Sequence, residues 1–150
     1  MLPEIDTHFL LTFLSDLLNT PSPTGFAEPA IAFTEKTLVQ FPSITTRRTR
    51  KGALVATWAG KNDDAPRALT AHVDTLGAMV KEIKPNGRLK LTKIGGFAWN
   101  TVENEGCRVF THAGAAVRGS ILLTKASWHV HSSQVNELKR EDDNMEVRLD

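Results

Sequence analysis

The chain opens with apolar residues at helical spacing. Ile5, Phe9, Leu10, Phe13, Leu14, Leu17 and Leu18 follow the i, i+3, i+4 rhythm that places them along one side of a helix. Asp6 or Thr7 can cap the start, and His8 and Asp16 fall between the apolar positions. The helix should end before Pro21, because proline disfavours helical geometry in the residue before it. Thr20-Pro21-Ser22-Pro23-Thr24-Gly25 is a loop by its own chemistry. A second helix is predicted near residues 27–41, with Pro29 tolerated in its first turn. Ile31, Leu38 and Phe41 would form its buried stripe, with Glu35 and Lys36 outside.

After Pro42 the period changes from helix to strand. Residues 44–49 are rich in β-branched side chains, Lys51-Gly52 reads as a turn, and residues 53–59 as the return strand. Residues 61–66 form a polar loop, and Arg67 to Val73 is predicted as a short apolar strand. From Leu76 onward the chain reads as all-β. Met79 to Lys84 and Arg88 to Ile94 flank Pro85-Asn86-Gly87, and Asn-Gly is a strong hairpin signal. Gly95-Gly96 interrupts, and later strands are expected near 108–112, 116–124 and 145–149, with the charged run 136–144 exposed. The pattern therefore divides into an α/β part, residues 1–75, and a β-rich part, residues 76–150.

Composition narrows the function classes. The net charge of +1 gives no pull toward nucleic acid or an anionic membrane. No apolar run approaches the roughly 20 residues needed to span a bilayer. The amino terminus lacks a basic region followed by an apolar block, so no signal peptide is expected. Cys107 is the single cysteine, which rules out an internal disulfide and fits a reducing compartment. These features point to a cytoplasmic protein.

The candidate chemistry sits in Ala71-His72-Val73-Asp74. In a strand, positions i and i+2 face the same way, so His72 and Asp74 can approach one site. Neutral imidazole is a good ligand for zinc or a similar divalent ion. A nearby carboxylate can orient that imidazole and raise its basicity. A lone His-x-Asp arises often by chance. Its setting, after an apolar segment and before Thr75-Leu76-Gly77 and a hairpin, gives it weight.

Several stretches together resemble one family. Pro21-Ser22-Pro23-Thr24-Gly25, Leu69-Thr70-Ala71-His72-Val73-Asp74-Thr75-Leu76-Gly77, Val80-Lys81-Glu82-Ile83-Lys84-Pro85-Asn86-Gly87 and Ile94-Gly95-Gly96 occur in the order seen in the tetrahedral aminopeptidases. That group includes glutamyl aminopeptidases and proteins formerly described as endoglucanases. The resemblance implies the amino-terminal part of a metallopeptidase α/β/α domain, followed by an inserted small β-barrel-like dimerisation domain. It implies removal of amino-terminal residues from peptides by a metal-activated water, with a glutamate as general base. It assigns His72 as a ligand of one of two divalent ions (zinc, cobalt or manganese) and Asp74 as a catalytic residue supporting that histidine. It also implies a homo-oligomer, dimers building a hollow dodecamer, with peptides as substrates and neither nucleic acid nor membrane as partner.

Two departures temper this. Many members carry an acidic residue where this chain has Thr75, and Asp74-Thr75 is closer to the acylases and carboxypeptidases of the same clan. A metal-dependent deacylase or carboxypeptidase is therefore the runner-up. The family's remaining ligands, a bridging aspartate, paired glutamates, a further carboxylate and a final histidine, are expected beyond the inserted β unit. Asp142, Asp143 and Asp150 do not stand in the context of those ligands. One histidine cannot hold a dinuclear centre, since catalytic sites need about three protein ligands per metal. The expectation is a 150-residue chain that binds metal weakly and is inactive alone. A non-catalytic assembly fragment, with residues 76–150 as the interface, is the alternative from another class.

The other conspicuous residues read as structural. His129 and His131 would share a face if extended, but no third ligand is near. His112 suits a turn. Cys107 reads as a half-buried thiol rather than a nucleophile. Arg47, Arg48, Arg50 and Lys51 suit a charged strand edge. Trp99 and Trp128 could serve either a subunit contact or ordinary core packing.

Overall fold

The computed structural model describes residues 4–62 and 64–150; Met1 to Pro3 and Asp63, in the amino-terminal stretch and the polar loop, lie outside the described residues. Packing divides the chain into two compact units, with the boundary between Thr75 and Leu76.

The first unit begins with helix α1, Thr7–Asn19. Its amino terminus is capped by Asp6, whose carboxylate accepts from the Phe9 backbone N–H at 2.9 Å, meeting one of the N–H groups a helix start leaves without a partner. Helix α2, Glu28–Leu38, carries Pro29 in its first turn as expected. The helices meet where Phe13 stacks on Phe33 at 5.5 Å, and Phe9 meets Phe41, past the end of α2, edge-on at 6.2 Å. The buried stripe differs from the expected one. Ala30 is fully buried, Ile31 and Leu38 are half-buried, and Phe41 lies beyond the helix end and is exposed.

Strands β1 (Ile44–Arg48) and β2 (Leu54–Trp58) form an antiparallel ladder. The expected basic edge is only partly that. Arg48 reaches back to α2 and bonds Glu28 at 2.6 Å and Glu35 at 2.7 Å. These two carboxylates raise the pKa of its guanidinium further, and they explain why Glu35 is half-buried rather than outside.

The expected strand at Arg67 to Val73 is not formed. Among the described residues, 66–74 have no ladder partner, and Leu69 is fully exposed. The physical reason is that a strand is defined by pairing. An apolar segment suited to a buried parallel sheet stays extended coil where no neighbouring strand is present.

The second unit is a five-stranded antiparallel sheet. Its strands are β3 (Gly77–Ile83), β4 (Leu89–Ile94), β5 (Gly106–Phe110), β6 (Ala116–Leu123) and β7 (Met145–Leu149). The order is β3-β4-β7-β6-β5, so the last strand in sequence lies at the centre, between two hairpins. The sheet is open: β3 and β5 are its edges, where the family resemblance implied a barrel-like domain. Asn86-Gly87 makes the β3–β4 turn, with Gly87 at φ +80°, a conformation that costs glycine little. Gly119 in β6 serves a different need. A Cβ there would stand 2.7 Å from the Arg148 carbonyl of β7, so only glycine lets the two strands approach.

One face of this sheet carries a core of Leu89, Leu91, Trp99, Leu123, Met145 and Val147, all buried. Trp99 sits in a short 3-10 turn and donates its indole N–H to Asp142 at 2.7 Å. That places Trp99 in the core rather than at an interface, while Trp128 is half exposed. Glu146 points to the other face yet is 2% exposed. Lys84 covers it, bonding at 2.8 Å, and Arg88 bonds its second oxygen. Burial opposes ionisation of Glu146, but the two cations outweigh it and hold the carboxyl below its usual range.

Residues 124–144 leave the sheet and return. The charged run there is not wholly exposed. Arg140 bonds Glu103 at 2.8 Å and the Leu138 carbonyl at 2.8 Å, anchoring the excursion. His129 and His131 lie in a four-residue helix, α3 (Trp128–His131), not in an extended segment. Two residues apart on a helix, they point to different sides, which removes the basis for a shared metal. His112 lies in the β5–β6 turn as expected.

Candidate functional site

The site is built where two distant segments of the first unit meet. Thr75 donates its backbone N–H to the Ser22 carbonyl at 2.7 Å. Pro23 and Thr75 form an isolated parallel bridge. These contacts hold the proline-rich loop against the end of the His72-Val73-Asp74 segment. Two prolines limit the loop's freedom, because each locks its own φ. Ser22 is buried, and its hydroxyl has no partner among the described residues.

Asp74 is the hub. Its Oδ1 lies 2.9 Å from His72 Nδ1, and its Oδ2 accepts from the Thr24 hydroxyl at 2.6 Å. The Thr24 bond is the chief cause, and the His72 bond the second, of a carboxyl pKa held below its ordinary value. An ionised carboxylate can only accept, so the imidazole must donate from Nδ1. The Asp74 backbone carbonyl, 3.2 Å from the same nitrogen, favours the same tautomer. Nε2 is then the ring nitrogen that keeps a lone pair. The His72 side chain is 83% exposed, so that lone pair is accessible.

This donor set suits one corner of a metal centre. A neutral imidazole whose Nδ1–H is held by a carboxylate is the arrangement that fixes a histidine for coordination through Nε2. It does not suit a whole centre. Among the described residues no group of three or more histidine, cysteine, aspartate or glutamate side chains could hold an ion. Asp142 and Asp143 are engaged elsewhere, with Trp99 and with Lys90. Cys107 is half-buried, and burial pushes its thiol pKa up, away from nucleophilic thiolate. Thr24 is the residue of the site whose role the sequence did not single out. Its loop stood out, but no spacing rule links positions fifty residues apart.

Known proteins match the chain closely. The model of the M42 glutamyl aminopeptidase family matches residues 52–150. A Bacillus subtilis (strain 168) protein, YhfE, provisionally named an aminopeptidase, is 44% identical over 140 residues, covering 93% of this chain and 40% of that protein. The chain thus spans well under half the length of that curated relative. Among solved structures, a TET aminopeptidase from a marine sediment archaeon of the Thaumarchaeota matches with a TM-score of 0.77 at 22% identity, over 93% of this chain and 38% of that one. An aminopeptidase from the archaeon Desulfurococcus kamchatkensis matches with a TM-score of 0.78 at 22% identity, over 92% of this chain and 36% of that one. At such identity these two establish a shared fold. No helix among the described residues is long and apolar enough to cross a membrane.

Proposed function

We infer function from one premise: the chain belongs to the M42 glutamyl aminopeptidase family. On that premise it is the amino-terminal portion of a dinuclear-metal aminopeptidase, and its share of the chemistry is one metal ligand. His72 would hold one of two divalent ions (zinc, cobalt or manganese) through Nε2. Asp74 would orient the ring by accepting from Nδ1. When bound, such ions supply Lewis acidity toward a peptide carbonyl and toward the attacking water. The remaining ligands and the general base would come from residues outside this chain. The substrates would be peptides with free amino termini.

The observation that carries this reading is the Asp74–His72 bond at 2.9 Å on a histidine side chain that is 83% exposed. It is the geometry a ligand needs, and a histidine serving only the core would be buried. Residues 76–150 would form the inserted dimerisation domain, with dimers building a dodecamer in the complete enzyme. The exposed apolar surface of the first unit would be covered by the rest of an α/β/α domain.

A chain with one ligand should not hydrolyse peptides. We expect no release of chromophore from aminoacyl p-nitroanilides by the 150-residue chain, with or without added zinc, cobalt or manganese. We expect activity when it is joined to the carboxy-terminal portion of an M42 enzyme, and loss of that activity with His72→Ala. Hydrolysis by the chain alone, or full activity of the joined His72→Ala protein, would refute the assignment.

A further inference from the structure

Both oxygens of Asp74 are used within this one small site. Oδ1 takes the His72 Nδ1 proton at 2.9 Å, and Oδ2 takes the Thr24 hydroxyl at 2.6 Å. A carboxylate turns easily about its last bond, since such sp³–sp² torsions are broad. Asp74 is 41% exposed, so water competes for both oxygens. A single bond to His72 would leave the carboxylate plane, and with it the ring, poorly defined. The second bond sets that plane.

The loop supplying the second bond is itself held. Ser22 accepts from the Thr75 backbone at 2.7 Å, and Phe26 donates to the Pro23 carbonyl at 2.7 Å. Thr24 lies between these two attachments, so its hydroxyl approaches Asp74 from a braced backbone rather than from a free loop.

Resting on the reading of His72 as a metal ligand, we propose that Thr24 is a positioning residue for that ligand: its hydroxyl clamps Asp74, and through Asp74 keeps the His72 proton on Nδ1 and the Nε2 lone pair outward. The role belongs to the hydroxyl, not the methyl. Thr24→Val keeps the shape and removes the donor. Thr24→Ser keeps the donor.

The test is the tautomer of His72, read by imidazole nitrogen NMR on the full chain above the titration range of the ring. In the wild type the Nδ1–H form dominates at His72. In Thr24→Val the ratio of the two neutral forms moves by roughly threefold or more, the size of a net hydrogen bond, toward that of His8, exposed on α1. In Thr24→Ser it returns to the wild-type value. An unchanged ratio in Thr24→Val, or a Thr24→Ser protein that behaves like Thr24→Val, overturns the proposal.

Should Thr24→Val not fold, Thr24→Ala, which also removes the hydroxyl, takes its place. Its tautomer ratio should move in the same direction. An unchanged ratio in Thr24→Ala overturns the proposal. Zinc chloride added to the same samples separates this inference from the reading it rests on. Zinc that moves His72 Nε2 at a higher concentration in Thr24→Val supports both, and equal midpoints in the two proteins overturn the positioning role. Zinc that leaves Nε2 unmoved sinks the ligand assignment, while the tautomer ratios still support Thr24 as the clamp on the imidazole.

Discussion

Residues 76–150 bury six large apolar side chains against one another, although Leu76, Met79, Ile83, Phe110, Trp128 and Val130 stay exposed. Leu123 and Met145 are 0% exposed and Trp99 and Val147 1%. In the described part of residues 1–75, Ala30 is the one buried apolar residue, while Leu11 is 63% exposed, Leu18 67% and Leu69 102%. The two units have similar lengths and similar apolar content, so the contrast lies in packing rather than composition. A buried leucine side chain contributes about 1.5–3 kcal/mol relative to an exposed one. The β unit collects that contribution within its own sheet. The α/β unit offers the same kind of residues and leaves much of the contribution unrealised. The candidate site and the buried apolar core therefore lie in different halves of the chain.

Removing Trp99 should weaken the β unit more than any other single change considered below. Its side chain is wholly buried and its indole N–H bonds Asp142 at 2.7 Å. Trp99→Ala leaves a cavity and an unpaired acceptor, and is expected to cost the β unit about 3–5 kcal/mol. Urea unfolding followed through amide resonances of residues 76–150 reads this directly, without averaging over the other unit. A change below about 0.5 kcal/mol, the size of an ordinary surface substitution, would show that the sheet is not held by its own core.

Glu146 comes next, and it adds a pH signature. Glu146→Gln removes the charge that Lys84 and Arg88 share and leaves two cations together. The expected cost is about 3 kcal/mol, the low end for breaking a buried pair, because both cations can turn toward water. The folded-state pKa of Glu146 lies below its ordinary value of 4.5. Its contribution is therefore complete above the unfolded value and is lost as pH falls through the lower, folded one. Unfolding midpoints of the β unit measured from about pH 6 to about pH 3 should fall with a slope that Glu146→Gln reduces. Equal slopes in the two proteins would remove Glu146 as the cause.

How much of this was legible in the sequence follows the range of the interactions. Helix α1 and its Asp6 cap, the Asn86-Gly87 hairpin and the β7 strand at 145–149 were all readable, because their signals lie within a few residues of one another. The strand predicted at Arg67 to Val73 failed because strand formation needs a partner, and local apolarity cannot supply one. Phe41 failed because the helix ended earlier than its periodicity suggested. The central place of β7, between hairpins formed long before it in the chain, has no local signal at all. At the candidate site, the closeness of His72 and Asp74 was readable from their spacing of two, although the strand expected to present them is not formed. Thr24 was not, because its bond to Asp74 joins two segments that only the folded backbone brings together.

Exposed leucines of the first unit should respond least to substitution. Leu11 and Leu18 lie on α1, which has no buried residue. If the α/β unit leaves these side chains in water, polar replacements forfeit almost no burial. Leu11→Gln and Leu18→Gln should each change the stability of the first unit by no more than about 0.5 kcal/mol. Glutamine is as good a helix former as leucine, so helix propensity does not confuse the result. Helical circular dichroism during unfolding reports on this unit, since the long helices of the chain lie within it. The same pair of changes should lower the chain's tendency to self-associate in light scattering, because two exposed leucines are removed from one surface. A loss of about 2 kcal/mol or more from either change would mean that the leucine is already covered. The division between a packed sheet and an uncovered site-bearing half would then have to be withdrawn.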